Sequence, residues 1–105
     1  MRITASTIEP FEQGFRLNGD LTFSTVSDLV ESGKALIHNG TKSATENEIN
    51  IEMSSVKKLD SAGIALLLEW KRECQLENKT CHFKHLSQQA ISLIKTYKLQ
   101  SVLYV

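Results

Sequence analysis

The feature that most constrains this chain is a change of hydrophobic period within EINIEMSSVKKLDSAGIALLLEW, residues 48–70. Ile49, Ile51 and Met53 share one parity, while Glu48, Asn50, Glu52 and Ser54 take the other. That is the two-residue repeat of a half-buried strand. Beyond the turn the repeat lengthens to that of a helix over about 62–78. Gly63, Leu67, Trp70 and Cys74 form one apolar stripe with Leu66 at its edge. Ile64 and Leu68 lie one column round, followed by Lys71, Arg72 and Gln75. They either widen the core stripe or form an exposed apolar patch beside Ser61, and such a patch marks a docking site.

The flanking segments extend this pattern. Phe11, Phe15 and Leu17 alternate with Glu12, Gly14, Arg16 and Asn18, as in a strand, until Asn18-Gly19-Asp20 supplies turn chemistry. A helix capped by Thr22 or Ser24, with Asp28 early in it, carries Phe23, Val26, Val30, Gly33 and Ile37 as its stripe and stops by Asn39-Gly40. NGTKSATEN, 39–47, reads as an exposed polar loop. TCHFKHL reads as a strand with Cys81 and Phe83 inward. Ser87 caps a third helix with Ala90, Leu93, Ile94 and Tyr97 on one side, and SVLYV closes as a short strand or extended tail. Strand–helix–strand units require right-handed crossovers and parallel pairing; the first two strands can pair locally. The expectation is a single α/β domain over residues 1–105. It has a mixed four- to five-stranded sheet, with about three helices mainly on one face and the other face partly wet.

A chain of 105 residues supports one core, and its 12 basic residues balance 12 acidic ones. No basic patch collects for nucleic acid. MRITASTIEP lacks an apolar segment after Arg2, and no apolar run approaches the roughly 20 residues needed to span a bilayer. A cytoplasmic location is expected, with the membrane met only through partners. Cys74 and Cys81 form no CxxC and are expected as small apolar fillers. The NGT and NKT triplets at 39–41 and 78–80 are expected as chance matches to the glycosylation pattern.

His82 and His85 fall on opposite faces of a strand and His38 lies elsewhere, so no metal site is expected; Glu46, Glu48 and Glu52 read as solvated carboxylates. No nucleophile elbow, phosphate loop or dinucleotide fingerprint occurs. Neither catalysis nor a cofactor is expected.

Interest therefore settles on Asp60-Ser61-Ala62-Gly63. Asp60 or Ser61 can cap the leucine-rich helix, while Ala62 and Gly63 allow a close backbone approach. The same helix start offers three functional readings. Ser61 could be phosphorylated, it could be a polar contact point for a partner, or Asp60 and Ser61 could serve a small-molecule or enzymatic site that holds an anion.

LNGDLTFSTV near the start, a strand ending in SSVKKLDSAG and the leucine-rich helix together resemble the STAS domain family, over nearly the whole chain. In the anti-sigma factor antagonists of that family, the serine matching Ser61 is phosphorylated by a partner kinase, which releases the partner. The GIALLL helix start and the ending LIKTYKLQSVL look like the MlaB-like branch, the cytoplasmic STAS subunits of Mla phospholipid ABC transporters. That branch commonly carries Thr where this chain has Ser61. The resemblance implies a non-enzymatic subunit that binds the transporter ATPase, in complex with the permease, and supports outer-membrane lipid asymmetry. The residues implied in that contact are Asp60, Ser61, Gly63, Ile64 and Leu68, with Lys57, Lys58, Lys71 and Arg72 as a polar rim. The alternative is an antagonist controlled by phosphorylation of Ser61 and bound by an anti-sigma kinase.

Overall fold

A computed structural model of the chain describes residues 6–11, 13–39 and 48–103. The elements run β1 (Thr7–Phe11), β2 (Gly14–Asn18), α1 (Ser27–Asn39), β3 (Glu48–Ser55), α2 (Ser61–Leu76), β4 (Thr80–Lys84), α3 (Gln88–Thr96) and α4 (Gln100–Leu103). One sheet has the order β1-β2-β3-β4. The β1–β2 hairpin is antiparallel; β2–β3 and β3–β4 are parallel and are crossed by α1 and α2. This is the mixed sheet that the change of period requires. The expected loop at 39–47 lies outside the described residues beyond Asn39, as do Glu46 and residues 1–5.

Strand alternation sorts the two faces. Phe15, Leu17, Ile49, Ile51 and Met53 are at most 1% exposed and meet the helices. The opposite parity carries a row of alternating charge, Glu9, Arg16, Glu52 and Lys84, on paired positions across all four strands. Opposite charges facing one another across strands are favourable, and this face stays wet.

Trp70 is the largest fully buried side chain. Its ring stands edge-on to Phe15 at 5.3 Å between centroids, and its indole N–H donates to the Val30 carbonyl at 3.2 Å. Gly33 of α1 lies against the indole, where any Cβ would overlap the ring. Lys34 and Glu69 close the same helix pair at 2.9 Å. Their mutual hydrogen bond holds the Lys34 ammonium above its usual pKa and the Glu69 carboxyl below its own.

Several expectations change. The α1 helix begins at Ser27, because Thr22–Val26 form turns closed by the Thr25 hydroxyl, which donates to the Asp20 carbonyl at 2.7 Å and accepts from the Thr22 N–H. Phe23 therefore leaves the expected stripe and is 84% exposed, while Leu29, Gly33 and Ile37 are buried. Phe11 is separated from Phe15 and Leu17 by the hairpin turn and is 38% exposed. Ala90 and Ile94 of α3 are buried as the stripe requires, but Tyr97 ends the helix and is 46% exposed. SVLYV is not a strand: its described part belongs to α4, whose Leu103 enters the core. Among the described residues there are four helices, in line with the about three expected.

Cys74 and Cys81 are buried as expected but are not separate fillers. They form a disulfide with Cα atoms 6.2 Å apart. Asn78, at φ 58°, reverses the chain after α2 and brings β4 back along the helix end. Sequence separation gave no hint of this, because the pairing depends on that reversal.

Candidate functional site

The start of α2 is built by Asp60. Its backbone is extended (φ −115°, ψ −168°), which suits an N-cap. Its Oδ1 accepts from the N–H of Ala62 at 2.9 Å and of Gly63 at 3.3 Å. Its Oδ2 accepts from the Phe23 N–H at 3.1 Å. One carboxylate thus ties the loop before α1 to the first turn of α2. The Asp60 N–H donates to the Leu21 carbonyl at 3.1 Å, and the Leu21 N–H donates to the Lys58 carbonyl at 2.9 Å. Leu21 and Leu59, joined by an isolated parallel bridge, are buried beneath.

Gly63 is fixed by the same approach. A Cβ there would stand 2.5 Å from the Leu21 carbonyl oxygen and 2.9 Å from Leu59 Cγ. The Gln89 side chain of α3 supports the knuckle by accepting from the Leu59 N–H at 3.2 Å.

Sequence left the cap open between Asp60 and Ser61, and the structure assigns it to Asp60. Ser61 is the exposed first residue of the helix, and its hydroxyl makes no hydrogen bond within the described residues. The anion position expected at this helix start is filled by the protein's own carboxylate.

The residues grouped by sequence separate into two sets. Ser61, Lys57, Lys58 and Arg72 are exposed, and Asp60 and Leu68 are partly so. Gly63, Ile64 and Lys71 are buried, Ile64 at 2% and Lys71 at 5% exposure. Ile64 therefore widens the core stripe and is not an exposed patch, and Lys71 does not lie on an outer rim. The accessible face of α2 runs Ser61, Ala65, Leu68 and Arg72, at steps of four, three and four residues. Phe23 projects beside its upper end. Phe23 was expected in the core stripe of α1 rather than here, and Ala65 was not named from sequence. The signal for Phe23 was the Thr22/Thr25 turn, which a helical stripe drawn from residue 23 overlooked.

Among the described residues no helix is long and apolar enough to cross a membrane. A family model described as "Mlab, STAS domain" matches residues 6–104. The chain is 31% identical over 83 residues to the intermembrane phospholipid transport system binding protein MlaB of Haemophilus influenzae, covering 79% of this chain and 77% of that one. The fold matches that of the anti-sigma factor antagonist SpoIIAA in its unphosphorylated form, with TM-score 0.67, 18% identity, 90% of this chain covered and 81% of that chain. At that identity the second likeness concerns the fold alone. A mixed sheet crossed by a leucine-rich helix, entered through an Asp-capped serine turn and matched by one family from residue 6 to residue 104, places this chain in the MlaB STAS-domain family.

Proposed function

We propose that this protein is a non-enzymatic STAS subunit of a phospholipid-transporting ABC complex, and that it holds the ATPase subunit through the exposed start and face of α2. The similarity to MlaB supports the transport setting. The observation that carries the contact is the exposed Ser61 hydroxyl, without a hydrogen bond among the described residues, on a helix start that Asp60 caps. Ser61 is not needed to start the helix, so it is available to a partner.

Asp60, Ser61 and Leu68 form the centre, with Phe23 as an apolar neighbour and Lys57, Lys58 and Arg72 as the charged rim. Gly63, Ile64 and Lys71 act from beneath by fixing the helix. Membrane association follows through the partner, on the cytoplasmic side of the inner membrane. Co-expression with the cognate ATPase and permease, followed by size-exclusion chromatography, tests this reading. A co-eluting complex that Ser61→Asp abolishes is expected. Absence of any complex with the unmodified chain overturns it.

The antagonist reading uses the same serine and predicts a kinase partner and phosphorylation of Ser61. It is less favoured, because the relative similar in sequence is an MlaB protein, whereas the likeness to the antagonist SpoIIAA concerns the fold alone.

A further inference from the structure

At the opposite end of α2, three metal-ligating side chains from two helices converge. His38 sits in the last turn of α1. Glu73 and Glu77 lie one turn apart at the end of α2, with Glu77 as its C-cap. One ligand atom from each residue lies within 4.8 Å of the other two. His38 Nδ1 and Glu77 Oε2 are 2.6 Å apart.

We propose that His38, Glu73 and Glu77 form a binding site for a divalent transition metal ion of the zinc class, open on its solvent side. One imidazole nitrogen and two carboxylate oxygens are a donor set that such ions take, at bond lengths of about 2.0–2.2 Å. Ligand atoms sharing one ion in that geometry stand roughly 3.4 Å apart. The His38 ring is 64% exposed and the Glu77 side chain 27%, so side-chain rotation can open the 2.6 Å His38–Glu77 contact and draw Glu73 in to that spacing, and solvent supplies the ion. Two carboxylates balance the dication's charge.

The neighbouring ammonium groups are otherwise engaged. Lys34, which faces Glu73 from α1, pairs with Glu69 at 2.9 Å, and the Lys79 ammonium donates to the Ile37 carbonyl. A plain His38–Glu77 ion pair accounts for the short contact but gives Glu73 no part, so Glu73 separates the two explanations. The site is independent of the contact proposed for the start of α2.

The test is titration calorimetry of the tag-free, chelator-stripped, oxidised full chain with zinc chloride, together with the absorption spectrum of the cobalt form. One equivalent is expected, with Tm raised by about 5 °C at saturation. Glu73→Gln and His38→Ala should each weaken binding at least about tenfold, since even supporting groups around a metal cost that much. His82→Ala and His85→Ala should leave it unchanged. Absence of saturable binding, or a Glu73→Gln variant that binds like the parent, overturns the proposal and leaves an ion pair.

Discussion

The two ends of α2 are held by different chemistry. At the start, the contacts are Asp60 on three backbone N–H groups, the Leu21 and Asp60 backbone bonds, and the close seat of Gly63 under Leu21. At the finish, they are the Cys74–Cys81 disulfide, the His38–Glu77 pair and the Lys79 ammonium on the last turn of α1. The Asp60 carboxylate on backbone N–H groups, the backbone bonds and the steric fit at the start do not change with redox state. The disulfide at the finish does. The start is thus a rigid platform that presents Ser61 in one position, whereas the finish responds to its surroundings. In a reducing compartment the disulfide is lost, and the finish loses its covalent link while the start keeps every contact.

The comparison breaks most severely at Gly63. Gly63→Val places a branched side chain against the Leu21 carbonyl and should destabilise by about 3 kcal/mol, read by urea unfolding. A smaller loss would mean that the α2 start can slide away from Leu21. At the finish, the Cys74→Ala/Cys81→Ala pair, or reduction, should remove about 2 kcal/mol, the expectation for a link closing a short loop. Protection of the Ala62 and Gly63 amides in hydrogen exchange should be unchanged relative to global stability. If their protection falls further than that, the two ends are coupled. Asp60→Ala should cost about 1.5 kcal/mol for the lost cap and the orphaned Phe23 N–H. Ser61→Ala should shift stability by less than about 0.5 kcal/mol, because its hydroxyl holds nothing within the described fold. Set beside Ser61→Asp in the binding assay, it separates a contact residue from a cap.

The smallest effect concerns the bare sheet face, away from both ends. Burial pushes the Glu52 carboxyl up, but hydrogen bonds from Ser54 and the adjacent His85 outweigh it, and the folded group titrates below the usual carboxylate range. A depressed folded value adds stability above the unfolded pKa, and that stability is lost as pH falls through the folded one. Glu52→Gln should therefore be slightly less stable near neutral pH and should flatten the acid limb of the stability profile, measured by denaturation between pH 2 and 6, the range in which such carboxylates titrate. An unchanged limb would show that the pair holds nothing.

The sequence was most legible where one chemical rule dominated. The β3 alternation placed Ile49, Ile51 and Met53 inward, and all three are buried. The α2 stripe from Gly63 to Cys74 is buried throughout, and Ser87 caps α3 by accepting from the Ala90 N–H. These follow from backbone period and local hydrogen bonding, which neighbours in sequence determine. The choice between Asp60 and Ser61 as cap was not legible, since either side chain can accept from the same N–H groups. Phe23 fitted a helical stripe on spacing, yet the Thr25 hydroxyl closes a turn there and turns it outward.

The sequence by itself determined the strand–helix order as far as α3, the inward sides of β3 and α2, and the polar turn that opens α2, because each depends on periods of two or 3.6 residues and on capping within one turn. Only the tertiary structure decided that Asp60 also binds Phe23, that Ile64 and Lys71 are buried, that Cys74 meets Cys81, and that His38 stands beside Glu73 and Glu77. The first, second and last of these depend on how separate elements pack. The cysteine pair depends on the left-handed turn at Asn78. None is written in the spacing of residues along the chain.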